Sequence, residues 1–500
     1  MKPETAAYEA LESRFRRGAL IGEAAGVLQW DTSVVMPPGG AAARAEQLAA
    51  LRLLAHEALT DPRLSDLLDD AEGGGAALDP WQAANLREMR RRWRHANAVP
   101  ADLVEASSRA ASACETVWRT ARPDADFAAL KPTLEEVLAL TREVARVKAA
   151  AFGCPAYDAL IDEYEPAADS ARITALFDDY ADRLPALLDA VMAHQETPPA
   201  MPDGPFPVAA QQALARRMAE TVGLDFETAR LDESLHPFSG GVPEDSRITT
   251  RYDEADFTLS LMAVLHETGH AMYERGLPAA WRYQPVGGAR GMALHESQSL
   301  LIEMQVCRSR AFFEWAAPVI AGAFGGAGPG WSADALYRRA IHVEAGFIRV
   351  DADEVTYPAH VILRTRLEQA MIAGDLQVAD LPGAWREGMA GLLGITPPDD
   401  RLGCMQDIHW PDGAFGYFPT YTLGAMAAAQ LAAAVRRADP DIMPAIARGD
   451  FTPLMAWLRR NVHQQGSLLT TDELLRQATG GPLDATAFTA HLGRRYLGES

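Results

Sequence analysis

Apolar residues along this chain recur mainly every three or four positions, the period of a helix buried on one face. The pattern predicts helices within 8–17, 41–59, 133–151, 170–194, 333–348 and 359–373. Strand-like text is scarce; the best candidate is the alternating, β-branched run at 247–252. Breaks fall at 72–75, at the proline-rich stretch 197–207 and at the glycine-rich stretch 322–330. None is long enough to act as a linker, and no repeat is visible. The expectation is one mostly α-helical unit over residues 1–500, bilobed in outline.

Composition narrows the partners. A hydrophobic share of 48% and a charged share of 23% are ordinary for a globular protein. The formal net charge of -22 argues against nucleic acid or an anionic membrane surface as a partner. No apolar run reaches the length of a membrane span, and the start lacks an apolar signal core. Cys114, Cys154, Cys307 and Cys404 lie far apart without paired spacing, as reduced thiols would. A cytoplasmic protein is expected.

The text richest in chemistry is Leu265-His266-Glu267-Thr268-Gly269-His270-Ala271. Phe257, Leu261, Val264 and Leu265 mark an apolar face upstream of it, and Asp253, Glu254 and Asp256 suit a helix N-terminus. Gly276 and Pro278 close the helix. On such a helix His266 and His270 are neighbours about 5–6 Å apart at Cβ, so both imidazoles can reach one ion. Glu267, one step round, reaches a water beside that ion and is placed as a general base. A third ligand is needed, and His295-Glu296-Ser297-Gln298 offers Glu296 on a second helix. His295 and Glu303 are rivals that spacing alone does not separate; the plainer role for Glu303 is to hydrogen-bond a ligand.

Further motifs make a family resemblance specific. They are Met36-Pro37-Pro38-Gly39-Gly40, His236-Pro237-Phe238, Asp245-Ser246-Arg247-Ile248-Thr249, Ile348-Arg349-Val350-Asp351-Ala352-Asp353, Gly403-Cys404-Met405-Gln406-Asp407-Ile408-His409-Trp410 and Gly416-Tyr417-Phe418-Pro419-Thr420-Tyr421. In this order, with the metal helix, the chain resembles the carboxypeptidase Taq family of metallocarboxypeptidases. The resemblance implies a largely α-helical fold with a deep groove, a homodimer, and one divalent ion per subunit, zinc or else cobalt or manganese. It also implies broad removal of C-terminal residues with proline disfavoured. By the matching positions, His266, His270 and Glu296 are metal ligands and Glu267 is the base. Wider similarity to helical zinc oligopeptidases places His409 and Tyr421 at the scissile carbonyl. One departure stands out: Leu300 and Ile302 occupy positions where the family usually has Arg and Trp, which bears on the groove wall.

A carboxypeptidase must read a free α-carboxylate, and arginine does so with paired, charge-assisted hydrogen bonds. Arg349 and Arg247 are the candidates; the plainer reading pairs them with Asp351 or Asp353 and with Asp245. The strand around Ile248 is expected to form a small sheet at the cleft edge, where a peptide could add as an extra strand. Gln406, His409 and Tyr421 supply donors for an oxyanion, and Tyr417 and His236 are weaker substrate contacts. Two other functions fit the same text. One is an oligopeptidase or dipeptidyl carboxypeptidase on this scaffold; the other is a metal-binding protein without catalysis, which has no need of Glu267.

Overall fold

Asp256 halts an extended stretch and caps a helix, its carboxylate accepting the Thr258 amide at 2.8 Å. The helix runs over Phe257–Gly276, as the sequence predicts, and Leu277 and Pro278 turn the chain out of it. A computed structural model describes residues 3–73, 78–197 and 199–498. Of the expected break at 72–75, Gly74 and Gly75 lie outside the described residues. The architecture is mostly helical with one three-stranded sheet. Among the described residues no helix is long and apolar enough to cross a membrane.

Two glycines set how closely the central helices approach. The buried helix Pro419–Ala438, rich in alanine, crosses the short helix Met292–Leu300. A Cβ on Gly424 would stand 2.8 Å from Glu296 Cβ. From the other side, a Cβ on Gly269 would stand 2.6 Å from Ser299 Cα and 2.7 Å from the Gln298 carbonyl oxygen. The helix that carries Glu296 is therefore clasped between two others at backbone contact, which only glycine permits. Beyond Leu300 the same rod continues as a π-helical segment, Leu301–Cys307, that carries Glu303.

The sheet corrects one expectation. Its order is β1 (Ala229–Glu233), β3 (Asp245–Thr250), β2 (Ser239–Val242), with β1 parallel and β2 antiparallel to β3. The strand around Ile248 is thus central, paired on both sides, and cannot accept a peptide as an added strand. The helix predicted over 333–348 also stops early, at Ala340. Past it, the amide of Val343 goes to Gln195 and that of Glu344 to Asp353, so side chains from elsewhere replace helical acceptors.

A helical hairpin of Pro3–Val34 and Ala41–Thr60 leans over the sheet, where Trp30 lies beneath the guanidiniums of Arg230 and Arg247 at 4.7 and 4.4 Å. Its outer faces leave Leu20, Leu53 and Leu54 exposed. The four cysteines are free, three of them buried.

Candidate metal centre

The helix Phe257–Gly276 and the helix Met292–Leu300 bring His266, His270 and Glu296 together, with one ligand atom of each within 4.8 Å of the others. Oε2 of Glu296 lies 3.4 Å from Nε2 of His270 and 3.7 Å from Nε2 of His266. Ligands at about 2.0–2.1 Å from a tetrahedral ion stand roughly 3.3–3.4 Å apart, close to this spacing. Nδ1 of His266 donates to Glu303 at 3.0 Å, which turns Nε2 toward the cluster. Glu303 in turn accepts from Arg308 at 2.7 Å.

The rival ligands are placed otherwise. Nε2 of His295 faces Glu274 at 2.9 Å, and its ring stacks on His270 with centroids 4.6 Å apart. Glu303 stands behind His266, engaged at both oxygens.

Charge also fits a cation. Glu267, Glu296 and Glu303 gather here, and of the three Glu303 is paired with a guanidinium, that of Arg308. Burial alone would lower the His266 pKa, yet Glu296 and Glu303 push it up to about 10. A divalent ion held by His266 would take the place of that proton. Burial pushes the Glu267 carboxyl up to about 7; His266 opposes this and Glu296 adds to it. Its Oε2 is buried without a protein partner, as suits a group that handles water. The donor set, its spacing and its surplus of carboxylates fit a divalent ion of the zinc class.

His266, Glu267 and Glu296 open into a cavity of about 840 Å³, which Arg349, Tyr357 and Tyr421 also line. Leu300 and Met304 form part of the same wall, whereas Ile302 is buried behind it. Leu300 thus gives the wall an apolar face.

The remaining candidates separate on inspection of their contacts. Arg349 is gripped by Asp407 at 2.8 Å, not by Asp351 or Asp353, and donates Nη1 to the Tyr357 hydroxyl at 3.0 Å. Asp353 instead accepts the amides of Glu344, Val355 and Thr356. Tyr421 lies beneath the Arg349 guanidinium at 4.9 Å, and its hydroxyl is 3.3 Å from Nε2 of His409. Burial and the nearby arginines bring His409 down to about 4, so its ring is neutral at pH 7. Tyr417 packs edge-on against Tyr421 and Tyr164.

Gln406 is a correction: its amide donates to the carbonyls of Phe347, Leu402 and Gly403, while its oxygen accepts the Arg349 amide at 2.9 Å. With every polar atom engaged, it braces Arg349 from behind and has no donor left for an oxyanion. Arg247 forms an ion pair with Asp245 at 2.6 Å and stacks on Trp30. Neither Arg247 nor His236 is among the residues lining the cavity, though Pro237 is. His236 itself is exposed on the loop before β2. Sequence reasoning missed Arg308, Arg364 and Asp407; the last lay inside a motif already noted, but its partners are far away in sequence.

Known proteins resemble this chain over nearly its whole length. A thermostable carboxypeptidase 1 of Thermus thermophilus is 38% identical, covering 99% of each chain, and one of Pyrococcus furiosus is 33% identical, covering 97% of each. Among solved structures, metallocarboxypeptidase 1 of Trypanosoma cruzi superposes with a TM-score of 0.96 at 42% identity, covering 98% of this chain and 99% of the other. The M32 carboxypeptidase of Deinococcus radiodurans gives 0.91 at 35%, with coverage of 98% and 99%. Residues 10–496 match the family described as Carboxypeptidase Taq (M32) metallopeptidase. With its His-Glu-X-X-His helix, its third carboxylate and its end-to-end likeness to these enzymes, the chain belongs to the carboxypeptidase Taq (M32) family of metallopeptidases.

Proposed function

We propose that this chain releases C-terminal residues from peptides one at a time, with broad specificity and proline disfavoured. The observation that carries this reading is the convergence of His266, His270 and Glu296 beside Glu267, in a cavity that Arg349 also lines. His266, His270 and Glu296 would hold one divalent ion, zinc or else cobalt or manganese. Once bound, such an ion supplies Lewis-acid chemistry that polarises a carbonyl and lowers the pKa of water toward about 7.

The protein's own groups do the rest. Glu267 takes a proton from the attacking water and passes it to the departing amine. Its burial suits this work, because a base with a pKa near the working pH both accepts and returns a proton readily. Tyr421 donates its hydroxyl toward the developing oxyanion, and neutral His409 orients that hydroxyl from 3.3 Å. Arg349 meets the substrate α-carboxylate, and the apolar wall at Leu300 and Met304 accepts varied side chains.

Residues 1–500 act as one catalytic unit in this reading. The exposed Leu20, Leu53 and Leu54 of the N-terminal hairpin support a homodimer, and the acidic charge and free thiols suit a cytoplasmic setting.

The test is a digest of one peptide as its free acid and as its C-terminal amide, followed by mass spectrometry. The acid should shorten by single residues and the amide should be nearly inert. Equal cleavage of both, or release of internal fragments, would put the oligopeptidase reading ahead.

A further inference from the structure

Behind the cavity wall, two guanidiniums meet one carboxylate. Arg349 places Nε and Nη2 at 3.1 and 2.8 Å from Oδ1 of Asp407. Arg364 places Nε and Nη2 at 2.7 and 2.6 Å from Oδ2. The side chains of Arg349, Arg364 and Asp407 are 7%, 0% and 13% exposed. The Phe418 ring lies 5.6 and 5.4 Å from the two guanidinium carbons. Water and salt screen charges weakly in such surroundings, so the cavity feels the sum of the three. Two positive charges and one negative leave a surplus of one positive charge.

The two arginines differ in what they face. Arg349 lines the cavity, whereas Arg364 does not; it is held by the His360 carbonyl at 2.7 Å and by the Trp385 ring at 4.5 Å. His360 and His409 are neutral at pH 7 and add no charge, Asp353 turns its carboxylate to backbone amides, and Asp351 is exposed to solvent, so Arg364 and Asp407 are the charges packed directly against Arg349. Without Arg364, Arg349 and Asp407 would form a neutral pair, and an arriving carboxylate would meet no net positive charge.

We propose that Arg364 is a positioning residue for C-terminal recognition: by sharing Asp407 it leaves Arg349 the unbalanced positive charge that a peptide α-carboxylate meets. This rests on the reading of Arg349 as the partner of that carboxylate.

Charge counting gives a test that a merely structural role would not pass. Arg364→Met keeps the volume but brings the triad to neutrality; Arg364→Met with Asp407→Asn restores the surplus. The readouts are KM and kcat for a peptide acid and its amide, and calorimetric binding of an N-acetyl amino acid and its amide to metal-free enzyme. Arg364→Met should lower the acid-over-amide preference about 10- to 100-fold, chiefly through KM, and the double variant should recover most of it. Arg364→Lys, which keeps the charge, should retain most of the preference. A wild type that binds acid and amide alike overturns the role of Arg349 and this proposal with it. A discriminating wild type whose preference survives Arg364→Met, or is not restored in the double variant, overturns the proposal alone. Should Arg364→Met fail to fold, Asp407→Asn alone decides: its surplus rises, so a preference below that of the wild type contradicts the charge argument.

Discussion

Oε2 of Glu303 lies 3.0 Å from Nδ1 of His266, on the side of the ring opposite Glu296. The hydrogen bond fixes the tautomer and the angle of the His266 ring, and Arg308 holds the carboxylate in place. Glu303→Ala should weaken metal binding about 10- to 100-fold while leaving the fold intact. Competition against a chelating dye measures this, and an unchanged affinity would show that His266 needs no such support.

Glu267 and Glu296 should fail in different ways. Glu267→Gln should keep its metal and lose most turnover, since the proposed role of the carboxyl is to act on water and not to bind the ion. Glu296→Ala should lose metal affinity first. Elemental analysis of both variants after dialysis separates the roles; an empty Glu267→Gln beside a loaded Glu296→Ala would mean that they are reversed.

Gly269 allows the backbone contact that brings His266 and His270 beside Glu296. A methyl group there meets Ser299 Cα and the Gln298 oxygen, neither of which is the end of a flexible side chain. Gly269→Ala should therefore cost roughly 1–3 kcal/mol of stability and lower metal affinity as the two helices separate. Gly391, exposed on the helix Leu381–Leu393 with nothing within 4 Å of its added Cβ, is the contrast. Gly391→Ala should stabilise by about 0.5–1 kcal/mol from helix propensity alone. Denaturant titrations compare the pair, and equal effects would contradict the packing account.

How far the sequence foretold this centre depended on distance along the chain. The metal helix was legible down to its ends, because Asp256, Gly276 and Pro278 act on their immediate neighbours. The position of β3 between β1 and β2 was hidden, since strand order depends on pairings between separate segments. The partner of Arg349 was hidden for the same reason: Asp407 lies 58 positions away, while Asp351 and Asp353 stand closer in the text. Periodicity also carried the predicted helix past Ala340, because it cannot register that Gln195 and Asp353 capture the next amides.

Glu354 predicts how stability responds to acid. It is buried and bound by Gln305, His491, Arg495 and Tyr496, which joins the C-terminal segment to the π-helical segment bearing Glu303. Burial alone would raise its pKa, but His491 and Arg495 hold it down to about 2, against an ordinary 4.5. A carboxyl lowered in the fold contributes stability that is present above the unfolded pKa and lost as pH falls from about 4.5 toward 2. Glu354→Gln should be less stable at pH 7 and lose less on acidification to pH 4 than the wild type. Parallel losses in urea denaturation at the two pH values would remove Glu354 from the account.

The central claim is that hydrolysis depends on a divalent ion held by His266, His270 and Glu296. Its most direct measurement is the release of C-terminal residues from a free-acid peptide before chelation, after exhaustive chelation and after addition of Zn²⁺, Co²⁺ or Mn²⁺, with metal content followed by elemental analysis. Activity should fall to background as the bound metal disappears and return with about one ion per chain. Full activity in protein shown to be free of metal would contradict the account.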